Sequence, residues 1–411
     1  MKSTTFKRNI ELYLAELMRQ YPAVAIIGAR QVGKTTLAKV VGEGYFYIDM
    51  EKGGDFDRFS RDPEFFFKQH PSHVIFDEAQ IYPELFTVLR SVIDEDRSAK
   101  GRFILTGSSS LELLRNISES LAGRIAIIEL GTLKANEYYH QPLSPFYEMF
   151  KTALNPHHVP LGIPPLNREQ IQNFWFMGGY PEPADTAGIF HQEWMTDYQL
   201  TYVNRDIAQL FPRLDKIAYR RFISMLGRLS GQIINKSDLA RSIGVSQPTI
   251  TQYLDIASGT FLWRQLLSFE NSVSKSVVKM PRGHIRDSGL LHHFLKIGNI
   301  EALQNDPIVG FSFESFVIEE ILKGLQDARL RNVDAYYYRT RGGAEIDLIL
   351  EGPFGTVPIE IKYGQRVTRH QLRWLDEFVT ENKLRFGIII NQADVAEWLT
   401  ENIVQIPAGF L

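Results

Sequence analysis

The sequence predicts an α/β chain built on a doubly wound parallel sheet that carries a phosphate-binding loop, and three observations lead there. The run Gly28-Ala-Arg-Gln-Val-Gly33-Lys34-Thr35 fits the pattern G-x-x-x-x-G-K-[ST]. It follows a short, β-branched apolar run, Ala23 to Ile27, and opens a helical run, Thr35 to Val41, so the loop stands where a buried parallel strand hands over to a helix. Strand-like and helix-like segments then alternate as far as Leu130, the pattern of a parallel sheet with helical crossovers.

Each element has its own justification. After the loop, Tyr45 to Ile48 reads as a second strand ending in Asp49-Met50-Glu51. His73 to Phe76 reads as a third, ending in Asp77-Glu78, and Arg102 to Leu105 as a fourth, ending in Thr106-Gly107-Ser108. Ile125 to Leu130 is a fifth, and Glu84 to Asp94 is a helix between strands. Ligands of such sheets bind at the carboxyl ends of the strands, so the loop and the acids after the third strand face one site. There the glycines let backbone N–H groups turn toward phosphates, Lys34 can reach the β and γ phosphates, and the Thr35 hydroxyl can ligate Mg²⁺. Asp77 can hold the same ion through water, and Glu78 can orient and polarise an attacking water.

Composition sets the bounds. At 411 residues the chain exceeds what one core usually supports, so two to four domains are expected. Apolar residues make up 44%, charged residues 23%, and the net charge is −3, which excludes a globally basic nucleic-acid coat and makes any such surface local. The chain has no cysteine, which rules out disulfides and thiolate metal sites and agrees with a reducing, cytoplasmic location. The opening segment MKSTTFKRNIELYLAELMRQ interrupts its apolar residues with charges, unlike a signal peptide, and no stretch approaches a membrane span in length.

The segments Gly28 to Thr35, Val74 to Gln80 (VIFDEAQ), Leu105 to Ser109 (LTGSS) and Ser120 to Leu130 (SLAGRIAIIEL) together resemble the AAA family ATPases of prokaryotes, within the group whose C-terminal part is a DUF4143 domain. The resemblance spans nearly the whole chain. It implies an ATP- and Mg²⁺-dependent ATPase with Walker A at Gly28 to Thr35, Walker B at Asp77 and Glu78, and a sensor-like polar residue at Ser108 or Ser109. Nucleotide contacts are expected from Gly28, Gly33, Lys34, Thr35, Thr36 and Ser108. Arg124 resembles the arginine finger that reaches a neighbouring subunit's γ-phosphate, which implies a homo-oligomer such as a hexamer. The alternative is a surface arginine capping the sheet edge.

Prolines cluster from Pro142 to Pro165 and mark a boundary. Beyond it, Asn167 to Phe176 and Phe190 to Leu210 look helical, and Gly178-Gly179-Tyr180-Pro181 is a tight turn. Asn235-Lys236-Ser237-Asp238-Leu-Ala240 followed by Ile243-Gly244-Val245-Ser246-Gln247-Pro248-Thr249-Ile250 resembles a helix-turn-helix. Ser237 is the expected cap of its first helix, and Gly244 permits the left-handed turn. The second helix, Gln247 to Ile256, offers Gln247, Thr249, Thr251 and Gln252 for contacts to bases and phosphates, and Phe261 to Phe269 would form a wing. Lys275, Lys279, Arg282 and Arg286 supply local positive charge, while the bland alternative is a packing module.

In the last segment, a helix from Ser312 to about Leu325 is followed by strands at Tyr336 to Arg339, Glu345 to Leu350 and Val357 to Lys362. Residues two apart on a strand face one side, so Glu360 and Lys362 project together and Asp347 can approach from the neighbouring strand. Two carboxylates can hold a divalent ion while the lysine positions water beside a phosphodiester. This resembles the PD-(D/E)xK nuclease fold, in which Glu314 matches the preceding helical acid and Gln371 the polar residue of the following helix. The alternative is that these acids pair with Arg339, Arg341 and Lys362. His292-His293 reads as packing rather than as a ligand pair.

The expected architecture is therefore a P-loop AAA-type parallel sheet (1–142), a helical lid and connector (143–215), a winged helix-turn-helix (216–275) and an α/β nuclease-like domain (276–411). The expected function is an oligomeric ATPase acting on DNA, with branched and single-stranded DNA among the candidates, by translocation, strand separation or branched-DNA remodelling, and metal-dependent cleavage at Glu314, Asp347, Glu360 and Lys362 is a further expected activity. The alternative is a nucleotide-controlled switch that binds a protein partner.

Overall fold

A computed structural model describes the chain apart from residues 1–5, 109, 185–188, 203–206, 208–210, 212–213 and 270–279. The chain divides into two compact units, 1–133 with 259–261, and 134–258 with 262–411.

In the first unit, strands β1 (Ala23–Ile27), β2 (Phe46–Asp49), β3 (Val74–Asp77), β4 (Phe103–Gly107) and β5 (Ile125–Glu129) form a parallel sheet of order β2-β3-β4-β1-β5. β1 is buried along its whole length, as expected of a strand covered on both faces. Helix α1 (Glu11–Gln20) buries Tyr13, Leu14, Leu17 and Met18, one stripe at helical spacing, while helix α2 (Lys34–Val41) starts directly from the glycine-rich loop. Beside β3, Phe59, Phe66, Phe67 and Phe76 meet mostly edge to face, with centroids 5.2–6.3 Å apart. This order puts the ends of β1 and β3 on either side of the end of β4, so the loop after β1 that leads to Lys34 lies beside Asp77 of β3 and Thr106 of β4.

The second unit holds a mixed sheet of nine strands: β6 (Gln232–Ile233), β7 (Trp263–Ser268), β8 (Arg282–Ile285), β9 (Asp334–Arg339), β10 (Glu345–Gly352), β11 (Gly355–Ile361), β12 (Gly387–Asn391), β13 (Glu397–Trp398) and β14 (Ile403–Pro407). β9, β10 and β11 form an antiparallel meander, whereas β11, β12 and β14 run parallel. β7 pairs antiparallel with β8 and parallel with β9, so residues on both sides of the expected division at 275/276 share one sheet. The helix Arg369–Glu381 lays Leu372, Leu375, Phe378 and Val379 against Ile346, Ile349, Ile389 and Ile403. Burying each such side chain contributes about 1.5–3 kcal/mol.

Several details differ from expectation. The helix expected from Ser312 begins three residues earlier, at Val309, and runs to Asp327, which puts Glu314 in its second turn. The first helix of the helix-turn-helix pattern, Lys236–Ile243, is capped by Asn235 rather than by Ser237: its carboxamide oxygen accepts from the Ser237 and Asp238 N–H groups. Gly244 closes that helix at φ 83°, the left-handed conformation expected of it. Of the stretch expected to be helical from Phe190 to Leu210, the described helix covers Ile189–Thr201.

Candidate functional site: a nucleotide cradle and a closed acidic centre

The loop after β1 is shaped by its glycines. Gly33 is the left-handed residue (φ 93°) from which α2 starts, and a Cβ on Gly28 would lie 2.2 Å from the Leu130 carbonyl oxygen. Inside the turn the buried Lys34 ammonium donates to the carbonyls of Gly28 at 3.1 Å and Ala29 at 2.8 Å. Thr36 is exposed on the first turn of α2.

Asp77, at the end of β3, gathers three hydroxyls. Thr35 Oγ1 donates to its two oxygens at 3.0 and 2.8 Å, Tyr47 Oη donates to Oδ2 at 2.6 Å, and Thr106 Oγ1 donates to Oδ1. Burial, together with the neighbouring Asp77 carboxylate, pushes the Tyr47 phenol well above its usual range, so it stays a donor. Glu78 follows in a left-handed conformation (φ 51°), which is strained for a residue with a Cβ and turns its side chain toward β4. Its Oε2 accepts from Gln80 Nε2 at 2.6 Å, Ser108 Oγ at 2.9 Å and the Ser108 N–H at 3.3 Å. Burial acts to raise the Glu78 carboxyl, but the Lys34 ammonium and the Gln80 and Ser108 hydrogen bonds outweigh it and hold the group below its ordinary value.

These residues fit a nucleotide and its magnesium ion. Lys34 and the turned loop supply a cationic cradle, and Thr35 and Asp77, already paired, are the hydroxyl and carboxylate that would hold a magnesium ion. Of the two sensor candidates, Ser108 contacts Glu78, and Ser109 lies outside the described residues. Arg124 is held in its own subunit: Nε and Nη2 form a fork to Asp94 at 2.8 Å each, and Nη1 donates to the Ala122 carbonyl at 3.1 Å.

The acids of the second unit have another arrangement. Asp347, Glu314 and Glu345 converge on Arg282 of β8, whose guanidinium is 3% exposed. Arg282 Nη1 donates to Asp347 at 3.0 Å and lies 3.6 Å from Glu345, Nη2 donates to Glu314, and Nε donates to the Gly231 carbonyl at 2.6 Å. The remaining Asp347 oxygen accepts from the Ile361 N–H at 2.9 Å, and Lys362 is paired with Glu360. Burial and the Asp347 charge push the Glu314 carboxyl up to about 8 and the Glu360 carboxyl well above its ordinary value. The pairing does not suit a divalent ion: Glu314 and Asp347 are committed to the Arg282 guanidinium and Glu360 to Lys362. Among the described residues, no group of three or more His, Asp or Glu side chains is placed to hold a metal.

The sequence reasoning missed Arg282 as the partner of these acids and assigned it to a basic surface. The signal that could have found it is the position of Arg282 on a strand beside Glu314, Glu345 and Asp347, and strand pairing across such separations is not written in local spacing. Arg286 likewise lies against the buried Glu319, at 3.2 Å. Lys275 and Lys279 lie outside the described residues. Gln371 is also placed differently from its expected role: its Oε1 accepts from the Thr368 N–H at 2.8 Å and the Thr368 hydroxyl at 3.0 Å, a reciprocal helix cap. His292 bridges the Phe176 carbonyl and the Ser312 hydroxyl, and burial lowers it to about 4, so it stays neutral. On the helix Gln247–Gly259, Gln247 and Gln252 are exposed and Thr249 and Thr251 half-buried.

Comparison with known proteins agrees with this organisation. Family models match an AAA domain at residues 20–139, a domain of unknown function, DUF8612, at 168–301, and another, DUF4143, at 309–411. The uncharacterized protein Rv2008c of Mycobacterium tuberculosis is 32% identical over 409 residues, which is 98% of this chain and 83% of that protein, and Mb2031c of Mycobacterium bovis matches equally. Among solved structures, the Walker-type ATPase PABY2304 of Pyrococcus abyssi is 16% identical with a TM-score of 0.43, covering 72% of this chain and 97% of that one. The ORC1 protein of Aeropyrum pernix, solved in complex with DNA, is 12% identical with a TM-score of 0.29, covering 75% and 94%. No described helix is long and apolar enough to cross a membrane. With a P-loop ATPase sheet at one end, a DUF4143 domain at the other and a relative matched almost from end to end, the chain belongs to the family of AAA ATPases that carry a C-terminal DUF4143 domain.

Proposed function

We propose that the first unit hydrolyses ATP with magnesium and that the whole chain uses this turnover to act on DNA. The observation that carries the enzymatic part is the convergence of Lys34 and Thr35, at the start of the helix after β1, with Asp77 and Glu78 at the end of β3. Water attacks the γ-phosphorus, its oxygen forms the new bond, and the bond to the β–γ bridging oxygen breaks to release ADP and phosphate. Lys34 neutralises charge on the transferring group, and Asp77 with Thr35 positions the magnesium ion, which supplies electrostatic stabilisation. Glu78, held below its ordinary pKa, stays ionised and orients water as a hydrogen-bond acceptor, while the water's proton ends on the phosphate product. Arg124 would complete a neighbour's site in an oligomer once it leaves Asp94.

Support for DNA comes from the helix, turn and helix at Lys236–Ile243 and Gln247–Gly259, whose exposed Gln247 and Gln252 can meet bases and phosphates. The second reading, a nucleotide-controlled switch on a protein partner, is favoured by Arg282 and Arg286, two cations that would strengthen a DNA surface but lie against buried acids. Metal-dependent cleavage at Glu314, Asp347, Glu360 and Lys362 has the least support, because Arg282 fills that centre.

ATP hydrolysis by the wild type and by Glu78→Gln, with single-stranded, duplex and four-way-junction DNA, tests the proposal. Stimulation by one DNA form that is lost in the variant is the expected result. DNA-indifferent turnover would overturn the DNA reading in favour of the switch, and wild-type turnover by Glu78→Gln would overturn the assignment of the hydrolytic site.

A further inference from the structure

The Glu78 carboxylate has a second buried neighbour in Gln80. Gln80 is 8% exposed, and its Nε2 donates to Glu78 Oε2 at 2.6 Å and lies 3.5 Å from the Ser108 hydroxyl. The short contact to a carboxylate fixes which end of the amide is nitrogen, since a flipped amide would set oxygen against oxygen. The other end, Oε1, is buried and has no hydrogen-bond partner among the described residues. A buried acceptor left unmade lowers stability and requires a reason. The space it occupies is reserved by a glycine: a Cβ on Gly107 would come within 2.6 Å of Gln80 Oε1 and 2.9 Å of Leu113 Cδ2.

We propose that Gln80 is a positioning residue for the hydrolytic reaction, held in an amide orientation that serves Glu78 rather than stability. The inference rests on the reading of Glu78 as the group that orients the attacking water. The Gln80, Ser108 hydroxyl and Ser108 N–H contacts all fall on Glu78 Oε2, so together they fix the plane of the carboxylate and the direction of Oε1.

The test uses Gln80→Leu, which removes both the donor and the unpaired acceptor at similar volume, beside Glu78→Gln and Gly107→Ala in the full chain. Expected for Gln80→Leu are a thermal midpoint equal to or above the wild type and affinity for a non-hydrolysable ATP analogue within about twofold. The kcat falls at least about tenfold while KM for ATP stays within about twofold, the split expected of a residue that positions the reaction rather than the nucleotide. Gly107→Ala, which crowds the amide, lowers kcat in the same way. An unchanged kcat in Gln80→Leu while Glu78→Gln is inactive would overturn the role of Gln80 alone. A thermal midpoint and analogue affinity that fall together with turnover would show a structural residue and overturn it as well. Wild-type turnover by Glu78→Gln would instead remove the reading beneath it.

Discussion

Asp77 in the first unit and Asp347 in the second are both buried strand carboxylates with a lysine close by in sequence or space, yet their surroundings suit opposite tasks. Asp77 is met by three neutral hydroxyls, from Thr35, Tyr47 and Thr106. A hydroxyl can turn from a carboxylate toward an arriving cation at little cost. Asp347 is met by a guanidinium and a backbone N–H. Arg282 cannot turn away without leaving its own charge and that of its partners unpaired in the interior. The comparison teaches that buried strand acids mark a site only when their partners can be exchanged for a ligand.

The largest effect that would sharpen this contrast is expected from Arg282→Met. Removing one member of a buried charged network costs about 3–5 kcal/mol, so chemical denaturation should show the second unit unfolding far earlier while the first keeps its transition. Adding Glu314→Gln and Asp347→Asn to that variant should restore much of the loss. A single substitution that leaves the unfolding midpoint in place would break the view of this centre as closed.

In the first unit the corresponding change, Lys34→Ala, should act on chemistry rather than stability. We expect kcat/KM for ATP to fall by about 10²–10³, with the nucleotide-free thermal midpoint little changed. Next comes pH. Glu314 is raised to about 8 in the folded chain, so its contribution to stability is full below the ordinary glutamate range and is lost as pH rises toward about 8. The thermal midpoint of the second unit should therefore fall across that window, and Glu314→Gln should flatten the slope. Glu78 is shifted the other way, so ATP turnover should hold its plateau down to the acidic side of the ordinary glutamate value. The smallest effect on stability is expected from Arg124→Ala, whose fork to Asp94 is at the surface. Its thermal midpoint should hardly move; turnover lost by the variant and regained on mixing with Glu78→Gln subunits would establish action between subunits.

Much of this protein was legible in local patterns. The loop from Gly28 to Thr35, the apolar strands that end at Asp77 and Thr106, and Gly244 between two helices follow from spacing and from what glycine alone permits, and these short-range rules survive folding almost unchanged. The caps at Asn235 and Gln371 were harder, because Ser237 and Gln371 have side chains suited to several tasks and the fold selects one. Partner choice across long separations belonged to the tertiary structure. Arg282 reaches Glu314 and Asp347, 32 and 65 residues away, and Gln80 meets Ser108 at the end of the neighbouring strand. The sequence by itself determined where a phosphate can be cradled, since that depends on consecutive backbone groups; which acids remain open to a ligand was decided by the order of strands, because a buried charge takes the best partner the sheet brings to it.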